Sequence, residues 1–166
     1  MGDKMDAIQC LKKRRSVRSF EDKKIDKQTL KDIIDCARLA PSARNEQKWE
    51  FAVITDESKL KKIASMTSQG FIEDSSACVV VLNEDYKYYL EDGSAATENI
   101  LLAARAYGLG SCWVAGDKKP YAEDMLKFLN VPEKYNLISI IPLGYGQFPE
   151  PHGKRKLEDV LHWQGF

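Results

Sequence analysis

Pro41-Ser42-Ala43-Arg44-Asn45-Glu46-Gln47-Lys48-Trp49 decides how this chain is read, together with Arg14-Arg15-Ser16-Val17-Arg18-Ser19-Phe20 ahead of it. The earlier run crowds three guanidiniums around the Ser16 hydroxyl. Arginine presents planar, paired donors that match phosphate oxygens, so Arg14, Arg15, Ser16 and Arg18 are a candidate phosphate receptor. By itself the run, extended by Lys12 and Lys13, leaves two other readings open: a solvated helix end, where cations suit the terminal carbonyls, or a basic nucleic-acid patch. The later stretch opens with a helix-stopping Pro41 and continues with small and amide side chains, Ser42, Ala43, Asn45 and Gln47. Those are ordinary loop residues. They also suit the polar edge of a flat ring. Between the two stretches Asp26 can cap a helix with Leu30, Ile33, Ile34 and Ala37 at i, i+3, i+4 and i+7.

The rest of the composition narrows the field. At 166 residues and 43% hydrophobic, the chain suits one domain, residues 1–166, with a real core. Lys plus Arg equals Asp plus Glu at 25 each, and such neutrality argues against a dedicated nucleic-acid binder. The four cysteines, Cys10, Cys36, Cys78 and Cys112, form no Cys-x-x-Cys pair, and there are two histidines, His152 and His162. A structural zinc site is therefore not expected. Cys36 and Cys78 lie on apolar faces and read as small buried hydrophobes. No apolar run approaches the ~20 residues of a membrane helix. Nothing resembles a signal peptide, so a cytoplasmic, reducing setting is expected.

Outward from the motifs, a short helix over 4–13 puts Ala7, Ile8 and Leu11 on one face. Trp49–Thr55 reads as a strand, Glu57–Met66 as a helix with Leu60, Ile63 and Ala64 inward, and Cys78–Leu82 as a buried strand. The segment from about Gly93 to Tyr107 is apolar around most of its circumference, which predicts a central helix or a subunit interface. Gly108-Leu109-Gly110 ends it. Ser111–Val114 reads as a short strand, Tyr121–Asn130 as a helix with Met125, Phe128 and Leu129 inward, and Leu137–Leu143 as a strand interrupted by Pro142. Alternation of helices and strands alone favours a parallel α/β sheet, yet no glycine-rich phosphate loop follows a strand.

A phosphate receptor followed by a loop for a flat polar ring describes flavin mononucleotide. The two stretches, in this order, resemble the FMN-dependent nitroreductase family, whose loop reads Pro-Ser-x-x-Asn-x-Gln-Pro-Trp. Pro41, Ser42, Asn45, Gln47 and Trp49 match it, while Lys48 replaces the usual proline. Gly108-Leu109-Gly110-Ser111-Cys112-Trp113-Val114 and Ile141-Pro142-Leu143-Gly144-Tyr145-Gly146 match later family segments. Lys154-Arg155-Lys156 with Leu157–Trp163 resembles the family's ending.

The resemblance implies an α+β fold, a three-layer sandwich with a mixed, mainly antiparallel sheet flanked by helices. It implies FMN as cofactor, with Arg14, Arg15, Ser16 and Arg18 on its phosphate and Lys154 or Arg155 closing that site. Pro41, Ser42, Ala43, Asn45 and Gln47 would meet the flavin of a partner subunit. Cys112, Trp113, Val114, Ala115 and Gly116 would lie along one ring face, with the backbone N–H of Ala115 or Gly116 toward N5. Gln69 is the candidate ring contact between Ser65 and Ser76. No side chain is assigned as catalytic, and neither histidine is.

The activity implied is transfer of a hydride from NAD(P)H to a small nitroaromatic, quinone or related acceptor, by a homodimer with shared FMN sites. A non-catalytic FMN-binding or redox-sensing protein is the alternative. The chain is short for the family and lacks the insertion that roofs the substrate side, which leaves Asp117–Tyr121 and the partner to close it.

Overall fold

The computed structural model describes residues 5–150 and 153–166; His152 lies outside the described residues. Five helices, α1 (Ala7–Lys13), α2 (Lys27–Arg38), α3 (Glu57–Thr67), α4 (Tyr89–Ala106) and α5 (Ala122–Phe128), accompany five strands. The strands are β1 (Trp49–Ile54), β2 (Ala77–Glu84), β3 (Gly110–Ser111), β4 (Val114–Ala115) and β5 (Tyr135–Gly144).

Strand β2 explains the layering. Its run of apolar residues is buried from Ala77 to Asn83. Val79 and Val81 pack with α2 and α4, while Cys78, Val80 and Leu82 face α3 and α5. Because side chains alternate across a strand, an unbroken apolar run needs cover on both faces. The result is helices, sheet, helices. All the pairings between strands are antiparallel, in the order β1-β2-β5-β3, with β4 also on β5. Short connections thus win over the parallel sheet that alternation suggests. An isolated bridge, Ser16 to Ser111, is parallel.

Helix α2 starts where Asp26 accepts from the Thr29 amide at 2.9 Å, and Leu30, Ile33 and Ala37 are buried. Helix α4 is the centre of its layer. A Cβ at Gly93 would lie 2.6 Å from Ile138 Cγ1, so only glycine lets α4 sit this close to β5. Four residues on, Thr97 Oγ1 lies 2.7 Å from Ser139 Oγ. Ala96, Ile100, Leu101, Ala103 and Ala104 are buried, Ala95, Leu102 and Ala106 partly so. Gly108, at φ +74°, ends the helix in the left-handed conformation.

Several details differ from the sequence reading. On α1 the buried residue is Cys10, while Ile8 and Leu11 are exposed; seven residues offer α4 a single row, and Cys10 occupies it. Cys36 is exposed, because it sits one position off the Leu30–Ile33–Ala37 stripe. Ser111–Val114 is not one strand: the chain leaves β5 at Cys112-Trp113 and rejoins it at Val114. Pro142 does not interrupt β5. It pairs with Cys78 and falls between the β3 and β4 pairings, where a residue without an N–H costs the sheet nothing on that side.

Candidate functional site

The Arg14–Phe20 segment is drawn onto the sheet by sites of close approach. The Val17 amide donates to Ser111 O at 2.9 Å, and the Glu21 amide to Tyr145 O at 2.8 Å. A Cβ at Gly110 would lie 2.7 Å from Val17 Cγ1, one at Gly144 2.7 Å from Phe20 Cδ1, and one at Gly146 2.3 Å from the Ser19 carbonyl oxygen. The glycines of the two late motifs are thus the floor on which the basic segment lies.

That floor creates a cavity of about 500 Å³ lined by Arg14, Arg15, Ser16, Arg18, Ser19, Gln147, Pro149 and Lys154. Four of its lining residues are cationic and none is acidic. Arg14 Nε stands 3.7 Å from Glu98. Arg15 is spent locally: its Nη1 donates to Lys12 O at 2.9 Å and Arg14 O at 2.7 Å, capping the end of α1. Of the two C-terminal candidates, Lys154 lines the cavity. Arg155 is absent from its walls and donates to Asp159 O instead.

A second cavity, about 310 Å³, is lined by Arg18, Thr67, Gln69, Phe71, Cys112, Trp113, Val114, Ala115, Lys119 and Tyr121. Arg18 lines both, and its guanidinium carbon lies 6.0 Å from the Phe71 ring centroid. Cys112 is buried against the basic segment. Burial pushes its thiol up, opposed by the Arg18 charge, a Ser16 hydrogen bond and the Arg14 charge. Tyr121, whose hydroxyl donates to Ala115 O, is likewise held protonated by burial.

The two backbone candidates separate. The Gly116 N–H donates to Ile138 O at 3.0 Å and is thereby committed to β5. Alternation turns Ala115 the other way, to the side where Tyr121 meets its carbonyl. A Cβ at Gly116 would strike Leu137 Cγ at 2.6 Å, so Gly116 serves packing.

Pro41, Ser42, Ala43, Asn45 and Gln47 line neither cavity. Their loop lies at the N-terminal end of α4, where the Ala43 amide donates to Asp92 Oδ1 at 3.0 Å. Arg44, Asn45 and Gln47 are left-handed, at φ 55°, 59° and 53°. Asparagine tolerates this region; arginine and glutamine adopt it at a cost. The Gln47 amide donates to Ser42 Oγ at 3.1 Å.

Another cavity, about 820 Å³, lies elsewhere, between α2 and the free edge of β1. It is an apolar groove over Leu30, Ile34 and Val53 with Lys27, Lys31 and Arg38 at its rim, and none of the candidate cofactor-binding residues lines it. No group of His, Cys, Asp and Glu among the described residues could hold a metal ion. No helix among the described residues is long and apolar enough to cross a membrane.

The profile of the Nitroreductase family matches residues 11–92 and 82–145. The chain belongs to the nitroreductase family. An Archaeoglobus fulgidus relative that carries the provisional name NADH dehydrogenase/NAD(P)H nitroreductase is 38% identical over 148 residues, spanning 82% of this chain and 85% of the relative. A crystal structure under the same provisional name, from Parabacteroides distasonis, superposes with a TM-score of 0.90 at 28% identity, over 96% of this chain and 98% of its own. An FMN-dependent nitroreductase from Clostridium difficile gives 0.88 at 30%, over 96% and 99%. The nitroreductase fold and membership of this oxidoreductase enzyme family are therefore established.

Within the nitroreductase frame, sequence reasoning passes over Thr67 and Phe71 in the second cavity and Gln147 and Pro149 in the first, whereas Lys119 and Tyr121 belong to the 117–121 stretch it expects to close the substrate side. Gln147 and Pro149 lie one and three residues past Gly146, and the closeness of Gly146 to Ser19 is a tertiary fact. Phe71 carries no pattern of its own. Asp92 was missed because the apolar count put the helix start at Gly93, four residues past its observed beginning at Tyr89.

Proposed function

We propose that this chain is an FMN-dependent oxidoreductase, with NAD(P)H as electron donor and a nitroaromatic, quinone or related conjugated molecule as acceptor, hydride passing through flavin N5. The observation that carries the reading is Arg18, which lines both a cationic cavity and an adjoining slot with aromatic walls. A phosphate and a flat ring joined by a flexible chain need such an arrangement. The residues fit the group: four cations without a carboxylate at one end, Phe71, Trp113 and Tyr121 at the other.

When bound, FMN supplies the hydride chemistry, and the protein's share is binding, orientation and polarisation. Arg14, Ser16 and Arg18 hold the phosphate, with Lys154 closing the site, and Arg15 supports the segment as the cap of α1. The Cys112–Ala115 backbone forms one wall of the slot, and the Ala115 N–H is the donor offered to the ring. Gln69 meets the ring's polar edge, and Lys119 and Tyr121 stand over the acceptor side.

The loop with Pro41, Ser42, Ala43, Asn45 and Gln47 completes the site of a second copy in a two-fold homodimer. Ile8, Leu11, Leu157, Leu161, Trp163 and Phe166 are exposed on the single chain, an apolar load that supports burial against a partner. The unit is one domain over 1–166, acting in the cytoplasm on small molecules rather than on nucleic acid or membrane.

Protein purified with FMN should be yellow, release FMN on denaturation, bleach rapidly with NADH or NADPH under anaerobic conditions, and scatter light as two chains of 18.8 kDa. A colourless protein that takes up no FMN at micromolar concentration refutes the reading. Bound flavin that neither nicotinamide bleaches would instead assign a non-catalytic flavin binder.

A further inference from the structure

We propose that Asp92 is a positioning residue that clamps the 42–47 loop in its left-handed conformation and so determines how tightly that loop meets the flavin ring; the second clause rests on the function proposed above.

Asp92 is 5% exposed and belongs to the first turn of α4, where a helix favours a carboxylate. Its mounting is rigid. Its neighbour Gly93 lies against Ile138, and Thr97 meets Ser139, both on the central strand β5. Two donors reach it from outside the helix, and a cation backs one of them. The Ala43 amide reaches Oδ1 at 3.0 Å and Oδ2 at 3.3 Å, and the Tyr86 hydroxyl donates to Oδ2. The ammonium of Lys48, at the far end of the loop, lies 4.9 Å from the Tyr86 ring centroid.

Elsewhere the loop is held by its own hydrogen bonds and, through Glu46, by the Lys48 ammonium 3.7 Å away, itself 3.8 Å from Glu84 on β2. Ser42 to Gln47 bond mainly to one another: Asn45 N to Ser42 O, Glu46 N to Ala43 O, Gln47 N to Ser42 Oγ, Gln47 Nε2 to Asn45 O. Among the described residues, the hydrogen bonds that fasten this stretch to another element are those from Ala43 to Asp92. A loop with three left-handed residues that are not glycine relaxes when released. A buried carboxylate that accepts an amide and a hydroxyl, mounted on the best-anchored helix, opposes that relaxation. Positioning of this kind acts through the loop; Asp92 lines neither cavity.

The test compares wild type, Asp92→Ala, Asp92→Asn and Ala43→Pro. Asparagine keeps an acceptor for the Ala43 amide. Proline removes that amide while leaving Asp92 and Tyr86 intact, and it suits a residue that opens a 3-10 turn after the extended Ser42. It therefore serves even where Asp92→Ala folds poorly. Arg44 is exposed, so limited trypsin digestion of cofactor-free protein reports loop opening as cleavage after Arg44, and FMN titration reports its consequence.

The expected result is cleavage after Arg44 about tenfold faster in Asp92→Ala and Ala43→Pro, near wild type in Asp92→Asn, with FMN dissociation constants raised about tenfold in the same order. Unchanged cleavage in both Asp92→Ala and Ala43→Pro overturns the clamp. Faster cleavage with wild-type FMN affinity overturns the link to the ring. A wild type that binds no FMN sinks the flavin reading, while the cleavage comparison still decides the clamp.

Discussion

Gly146→Ala tests how tightly the cationic cavity depends on the sheet beneath it. The added methyl would lie 2.3 Å from the Ser19 carbonyl oxygen and 3.2 Å from Val17 Cγ1, where Cβ contacts under 3.0 Å are essentially never seen. The first of these neighbours is backbone and cannot rotate away. The 17–19 segment must retreat by roughly 0.7 Å, stretching the bond from the Val17 amide to Ser111 O. Overpacking of this kind costs about 1–3 kcal/mol, and at roughly 2–4 °C per kcal/mol for a chain this size the Tm of cofactor-free protein should fall by about 2–12 °C. Because Ser16 adjoins the displaced segment and Arg18 belongs to it, FMN affinity should fall as well, by about tenfold, part of a charge-assisted bond worth roughly 1.5–3 kcal/mol. Thermal melts and flavin fluorescence titration measure the two effects. Gly70→Ala, with nothing within 4 Å of the new methyl, is the control for the melt. A Gly146→Ala protein with wild-type Tm and wild-type FMN affinity would refute the claim that close approach of this segment builds the site.

Two further outcomes are expected. Arg18→Ala should weaken FMN binding by about one to two orders of magnitude, whereas Arg15→Ala, whose guanidinium is committed to Lys12 O and Arg14 O, should change it less than threefold by the same titration. Stability should decline as pH rises above 9. Burial pushes the Cys78 thiol from 9.0 up to about 12, and Tyr86, Tyr89 and Tyr121 are also raised. A raised group stabilises the fold fully below its unfolded pKa and loses that contribution as pH climbs toward its folded value. Urea midpoints between pH 8 and 10.5 should fall, less steeply in Cys78→Ala; a flat or rising profile would contradict the burial of that thiol.

Local pattern accounts for much of what the sequence revealed. The Asp26 cap, the Leu30–Ile33–Ala37 stripe and the apolar run of β2 are written in neighbouring residues, so their elements could be read directly. Arg14, Ser16, Arg18 and Lys154 do line one cavity, and Gln69 and the 112–115 segment another. The details that escaped depend on partners distant in sequence. Cys36 differs from a buried position only by 100° of helix rotation. Ala115 and Gly116 look alike as a dipeptide, and only the pairing with β5 commits one N–H and turns the other outward. Lys154 and Arg155 are adjacent cations, separated by Asp159 claiming the second. The apolar count could not see Asp92 because a buried carboxylate is polar by composition and core by location.

The bridge between Ser16 and Ser111, with the bond from Glu21 to Tyr145, joins positions about a hundred residues apart. Such contacts repay their loop-closure cost only after the intervening chain has been ordered. On a ribosome the arginine segment is made first, yet its supports at Gly110, Gly144 and Gly146 are made late. Until those supports emerge, the nascent chain carries three arginines without the surface that arranges them. If the proposed function holds, capacity for the phosphate waits on those late supports, and a chain truncated before Gly144 should have no means of retaining a cofactor.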